Sequence, residues 1–181
     1  MATLADLFTA SRNAPVRYED REVCRAYSRP LPRPVLLTVG ILGEQQPAGP
    51  DDPVRQGVAV RVRGGRARLA ELEGSGMLLW SDETLVPVTL ECLPDEPEAA
   101  VDVWNVWGEE DGDQSGLVGC WMGEAGILVE ERDGEPAAAP WSGSTVLRCS
   151  NGLDPVDFGD LLIGLSWALP ERDALAEEGA A

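Results

Sequence analysis

Hydrophobic and polar positions alternate with a period of two along much of the chain. Val58, Val60 and Val62 are separated by Ala59, Arg61 and Arg63, a spacing that puts one set of side chains on each face of a pleated strand. Leu161, Ile163, Leu165, Trp167 and Leu169 repeat the pattern, and the residues between them, Leu162, Gly164, Ser166 and Ala168, are mostly small, which invites close packing by another element. In the segment from Val101 to Trp107, Val101, Val103, Asn105 and Trp107 fall on one face and Asp102, Trp104 and Val106 on the other. Both faces are largely apolar, so this strand is expected to be central. Val35–Leu42, Met77–Trp80, Val86–Leu93, Gly126–Glu131 and Thr145–Cys149 read as further short strands, with Pro87 at an edge or entry position.

Turn chemistry separates these segments at intervals of roughly ten residues. Gly64-Gly65, between Val58–Arg63 and Arg66–Leu72, reads as a two-residue hairpin turn. Gln45–Asp52, Pro94–Glu98, Gly108–Gly116 and residues 135–144 read as loops, and Arg132-Asp133-Gly134 and Asn151-Gly152 as turns. The pattern predicts an all-β protein, an antiparallel sandwich or flattened barrel spanning residues 35–169.

The first 34 residues have a different texture. Leu4, Leu7 and Phe8 can form the apolar side of a short helix, and Arg17, Arg21, Arg25, Arg29 and Arg33 recur every four residues. Pro30, Pro32 and Pro34 stop any helix there, so residues 1–34 are expected to form an Arg-rich arm or a strand-like lead-in. Residues 170–181, rich in Glu and Ala, are expected to be an acidic tail.

Composition removes most familiar chemistry. The chain has no histidine, and all of its 14 basic residues are Arg. Histidine-based triads, His-ligated zinc, Schiff bases and P-loop lysines are therefore excluded. No cofactor motif is found: Gly116, Gly119, Gly123 and Gly126 lack the helix, Lys and Ser/Thr of a phosphate cradle, so no cofactor is expected.

The formal charge of -18 repels nucleic-acid phosphate and anionic lipid, and makes a basic protein the natural partner. Residues 1–68 hold eleven Arg and seven acids, whereas residues 69–181 hold three Arg and twenty-five acids. The two parts are expected to neutralise each other within one fold. The alternative is a dipolar surface that steers a partner.

No stretch near Met1 resembles a signal peptide, and the longest apolar run, Leu161–Leu169, is about half the length of a spanning helix. A cytoplasmic location is expected. Cys24, Cys120, Cys92 and Cys149 form no metal-binding spacing and read as small apolar residues of a reduced protein. Cys120, between Gly119 and Trp121, is the thiol to test for reactivity.

Two constellations remain. Trp104, Trp107 and Trp121, with Trp80 and the carboxylate of Asp102, could line a sheet face that stacks a sugar or an apolar ligand; as core residues they would instead fill the interior of a domain with only two Phe and two Tyr. Asp154, Asp157 and Asp160, and the loop carrying Glu109, Glu110, Asp111 and Asp113, are the acidic clusters that could hold a hard cation. Asp154-Pro155 followed by Asp157 equally resembles a helix cap. Convergence of Asp102, Glu124 and Asp157 would be needed for carboxylate catalysis of glycoside hydrolysis.

Trp104-Asn105-Val106-Trp107, Trp121, Gly123, Ala125-Gly126, Arg148-Cys149-Ser150, Gly152 and Asp157-Phe158-Gly159-Asp160-Leu161 together resemble a pattern carried by uncharacterised actinobacterial-type β-rich proteins. The resemblance spans residues 101–167. It implies an intracellular β-rich protein and brings no activity or catalytic residue with it. The leading expectation is a non-catalytic binding protein, such as an immunity or accessory factor for a basic partner. A small-ligand or carbohydrate-binding module and a carboxylate-based, metal-assisted enzyme are the alternatives.

Overall fold

The computed structural model describes residues 2–45, 54–84, 86–109, 119–131, 145–153 and 155–170. A short helix, α1 (Leu4–Ala10), precedes a hairpin of β1 (Val16–Tyr18) and β2 (Arg21–Val23). The main body follows as β3 (Tyr27–Pro30), β4 (Val35–Glu44), β5 (Val54–Arg63), β6 (Gly65–Leu69), β7 (Leu72–Gly74), β8 (Gly76–Trp80), β9 (Val88–Pro94), β10 (Ala100–Glu109), β11 (Glu124–Glu131), β12 (Thr145–Gly152) and β13 (Leu161–Ala168).

Two open antiparallel sheets face each other as a sandwich, not a closed barrel. One has the strand order β3-β10-β5-β8 and the other β11-β12-β13-β4-β9-β6-β7. The alternation seen in sequence sets what lies between them. Val58, Val60 and Val62 of β5 and Val101 and Val103 of β10 meet Leu37, Val39, Leu90, Leu147, Ile163 and Leu165 of the larger sheet in one buried cluster. Each valine buried in this way contributes roughly 1.5–2 kcal/mol relative to an exposed one. β10 is central, as its two apolar faces require, pairing with β5 along its whole length and with β3 over Ala100–Val103.

The first 34 residues do not stand apart from the sheets, because Leu4, Phe8, Val23 and Leu31 are buried in the clusters that the sheets form. β3 is an edge strand of the smaller sheet. Leu4 and Phe8 of α1 pack with Val23, Leu128 and Phe158 in a second buried cluster, so β11 is covered on both faces: Ile127 points into the main core and Leu128 toward the helix. Thr3 caps α1 reciprocally with Asp6: Thr3 Oγ1 accepts from the Asp6 N–H, and Asp6 accepts from the Thr3 N–H. These bonds hold the Asp6 carboxyl below its ordinary range.

Gly64-Gly65 is a corrected expectation. It joins no hairpin: β5 lies in the smaller sheet, while β6 pairs with β7 and β9 in the larger one. The pair forms a corner at which the chain changes layers. Gly64 has φ +65°, and a Cβ on Gly65 would lie 2.2 Å from the Leu93 carbonyl oxygen. The glycines are required by that close crossing, and the true hairpin follows one strand later, between β6 and β7.

The expected neutralisation between the two parts of the chain is visible in the ion pairs. Arg55 binds Asp82 and Glu83, Arg63 binds Asp102, Arg66 binds Asp95 and Glu73, and Arg68 binds Glu73 and Glu91. Arginines of the basic part thus take carboxylates of the acidic part.

Candidate functional site

The outer face of the smaller sheet carries the aromatic constellation. Backbone pairing puts Asp102 beside Arg61, Trp104 beside Ala59 and Val106 beside Gly57, and continues to β8 with Ala59 beside Leu78 and Gly57 beside Trp80. A band from Trp104 across Ala59 to Leu78 and Trp80 therefore crosses three strands on the side away from the core. Trp121 extends it beyond β10: its ring centroid lies 5.1 Å from that of Trp104, with the planes tilted by 37°. This offset geometry is favourable for two indoles.

Two guanidinium groups finish the band. Arg25 lies 4.6 Å from the Trp121 ring centroid and Arg55 lies 4.5 Å from that of Trp80, each a cation–π contact. Arg25 also donates to the Asn13 side chain. Arg55 is held by Asp82 and Glu83. Arg25 belongs to the four-residue recurrence of arginines in the first 34 residues, which does not indicate an indole partner, and Arg55 has no such spacing.

The four candidate ligand-binding residues divide. Trp104 and Trp121 come together on the outer face, Trp104 half-buried and Trp121 36% exposed. Asp102 shares that face, but its carboxylate is engaged by Arg63, with Nε 2.5 Å from Oδ2 and Nη2 3.2 Å from Oδ1. Trp107 points the opposite way and is 5% exposed; its indole lies against Gly119, where a Cβ would come within 2.3 Å of Nε1. Trp107 is thus a packing residue of the interior, as strand alternation required.

Cys120 sits next to this stack. Burial raises its thiol above the ordinary range, and Arg25 and the Trp104 indole oppose that rise without cancelling it. A thiol held protonated in this way is a poor nucleophile. The Trp104 Nε1 is buried and makes no hydrogen bond of ordinary geometry, so its proximity to Cys120 is a weak interaction. All four cysteines are free.

The acidic cluster resolves into a turn. Asp157 Oδ1 accepts from the Gly159 N–H at 2.9 Å, and Asp160, buried, accepts from the Asn151 N–H through Oδ2 at 2.8 Å. Each carboxylate satisfies backbone donors that would otherwise be unpaired. Asp154 lies outside the described residues, as do Glu110, Asp111, Asp113, the loop at 135–144 and the tail from 171, and the Glu109 side chain is likewise not described. Among the described residues there is no group of three or more Cys, Asp or Glu side chains placed to hold a metal ion. Of the carboxylates considered for catalysis, Glu124 accepts from the Leu4 N–H, while Asp102 and Asp157 are engaged as above. Each serves a different element.

Sequence patterning missed a buried polar seam near the same end of the sandwich. Gln56 Nε2 donates to the carbonyls of Gln45 and Asp160, and Asn105 Nδ2 donates to the Ser150 carbonyl. Gln56, Asn105, Ser150, Asn151 and Asp160 are all buried. The seam ties the two sheets together with hydrogen bonds where neither strand supplies an apolar pair.

Compared with known proteins, the chain matches no family model, no curated protein and no solved structure.

Proposed function

We propose that the chain is a non-catalytic interaction protein whose surplus negative charge meets a basic protein partner, in the manner of an immunity or accessory factor. The observation that carries this reading is the disposition of the arginines. With a net charge of -18, the cations of Arg55, Arg63, Arg66 and Arg68 are taken up by internal carboxylates. Arg25 and Arg29 cover indoles. The residues outside the described set hold twelve acids and two arginines, so the excess of negative charge is greatest there. Such a field accelerates encounter with a cationic surface.

No histidine or lysine supports a catalytic alternative, and no described helix is long and apolar enough to cross a membrane. The test is salt dependence. The immobilised full chain is used to isolate a partner at low ionic strength, and the affinity of that pair is then measured from about 0.05 to 0.5 M NaCl, a range over which the screening length shortens about threefold. A loss of affinity with salt supports electrostatic capture. An affinity that salt leaves unchanged overturns it.

The outer-face aromatic band favours a second reading, a ligand-binding surface for a flat apolar or sugar ring. Trp104 and Trp121 are the residues that would stack it. If iodide fails to quench a chain in which these two are the remaining indoles, that surface is closed and the reading fails.

A further inference from the structure

Each sheet of an open sandwich ends in strands whose outward N–H and C=O groups lack a partner, and proteins blunt such edges with charge, proline or brevity. Three of the four terminal strands here are blunted. β3 carries Arg29 and Pro30, β11 carries Glu124, Glu130 and Glu131, and β7 has only three residues, one of them Glu73. β8, Gly76-Met77-Leu78-Leu79-Trp80, carries no charge and no proline. No strand pairs with its outer side among the described residues.

Which backbone groups are open follows from the hydrogen bonds at the two ends of the β5–β8 ladder. Ser81 donates to the Gln56 carbonyl, and Ser75 accepts from the Val62 N–H. In an antiparallel ladder the bonded positions alternate, so Met77 and Leu79 turn their backbone groups toward β5, and Gly76, Leu78 and Trp80 turn theirs away from it; the Trp80 carbonyl is taken by the Glu83 and Thr84 N–H groups, which leaves its N–H. The side chain of Leu78 is 40% exposed, and nearby Leu72 is 68% exposed. Leu69, Leu72, Met77 and Leu78 line a cavity of about 270 Å³ beside the open edge.

We propose that β8 is the interface of a homodimer, in which two copies pair antiparallel about Leu78 and join their four-stranded sheets into one of eight strands. The occupant is a second copy because the strand is complementary to itself. With Leu78 facing Leu78 across the two-fold axis, each Trp80 falls opposite Gly76 of the second copy, the large residue against the one without a side chain. Leu78 then exchanges both backbone bonds with its counterpart, and the Trp80 N–H meets the Gly76 carbonyl. Charge favours the same choice. Two molecules of charge -18 repel one another over most of their surface, whereas β8 is neutral and the nearest acids beyond it, Asp82 and Glu83, are already held by Arg55. An isologous interface of this kind closes at two copies.

Sedimentation velocity of the full chain from about 5 to 500 μM, a range in which a small interface associates, should show a monomer–dimer equilibrium. Screening of the like charges should make that equilibrium tighten as NaCl is raised, opposite in sign to capture of a basic partner. Leu78→Lys should weaken dimerisation by about tenfold or more, since it removes the central pair and opposes two like charges. An equimolar mixture of Leu78→Lys and Leu78→Glu should recover a heterodimer. Hydrogen exchange of the unaltered chain reads the same contact without a variant: the Leu78 and Trp80 amides should gain protection as concentration rises. A chain that stays monomeric throughout, or a dimer whose Leu78 and Trp80 amides remain unprotected, overturns the proposal.

Discussion

Trp121 packs its indole 5.1 Å from that of Trp104 while its own backbone sits at φ +59°. Left-handed backbone is unusual for a bulky residue and costs of order 1–3 kcal/mol. The cost is offset by the indole contact and by Arg25, whose guanidinium lies over the Trp121 ring itself. Strain and stacking can be separated by substitution. Trp121→Ala removes the contact and keeps the strain, whereas Trp121→Gly removes both. Urea denaturation should show Trp121→Ala destabilised by about 1–2 kcal/mol, with Trp121→Gly more stable than Trp121→Ala by about 0.5 kcal/mol. The reverse order would show that the backbone at 121 is not strained.

The layer-changing corner gives a sharper contrast. Gly65→Ala would drive a methyl group to within 2.2 Å of the Leu93 carbonyl and 2.9 Å of Val62 Cγ1, and a backbone obstacle cannot rotate away. A loss of about 2 kcal/mol or more is expected, in the range of overpacking. Gly74→Ala has nothing closer than 3.6 Å and should change stability by less than about 0.5 kcal/mol. Thermal unfolding of the two variants side by side checks the pair. Were the corner a simple hairpin, Gly65 would tolerate the methyl group.

These two sites also show what the residue pattern could and could not convey. Alternation is a property of consecutive residues, so it placed Trp104 and Trp107 on opposite faces and marked β5, β10 and β13 as strands with their inward valines, leucines and isoleucines. Gly64-Gly65 signals a sharp reversal through its own backbone freedom, but the choice of sheet after the reversal depends on β6 meeting β9, which is distant in sequence. The Trp121–Trp104 contact and the arginines over Trp121 and Trp80 are likewise meetings between separate segments, and the four-residue recurrence that includes Arg25 does not say which ring it covers. Asp157 and Asp160 looked like ligands because carboxylates in a turn serve cations and backbone donors equally well. The nearby N–H groups of Gly159 and Asn151 decide the use.

The polar seam between the sheets should be costly to break from one side. Asn105→Ala withdraws the side-chain donor from the Ser150 carbonyl in a site where both residues are buried; that carbonyl keeps its ladder partner Gly126 of β11, so a loss of about 0.5–1.5 kcal/mol is expected. Gln56→Ala withdraws one donor from two carbonyls. The Asp160 carbonyl keeps the Gln45 N–H, so the penalty there falls mainly on the Gln45 carbonyl. Because the two sites share the Ser150–Asp160 turn, the double variant should lose less than the sum of the single losses. Denaturant titration of the four-member cycle measures this, and strict additivity would show that the seam is not one network.

The buried thiols predict an alkaline limit to stability. Cys92 and Cys149 lie inside the main core. Burial, with a smaller contribution from Glu91, pushes the Cys92 thiol up to about 12, and burial together with Asp160 raises Cys149 further in the same direction. An unfolded cysteine ionises near pH 8.5. The folded chain therefore holds two protons that the unfolded chain releases above that pH, so their contribution is fully present below about pH 8.5 and is lost as pH rises toward the folded values. The slope approaches about 1.4 kcal/mol per pH unit for each thiol. Cys92→Ala should remove the Cys92 contribution, making the decline between about pH 9 and 11 shallower by up to about 1.4 kcal/mol per pH unit even if it lowers stability at neutral pH. Equilibrium unfolding as a function of pH measures both slopes, and a Cys92→Ala profile parallel to that of the unaltered chain would show that this thiol ionises without penalty in the fold.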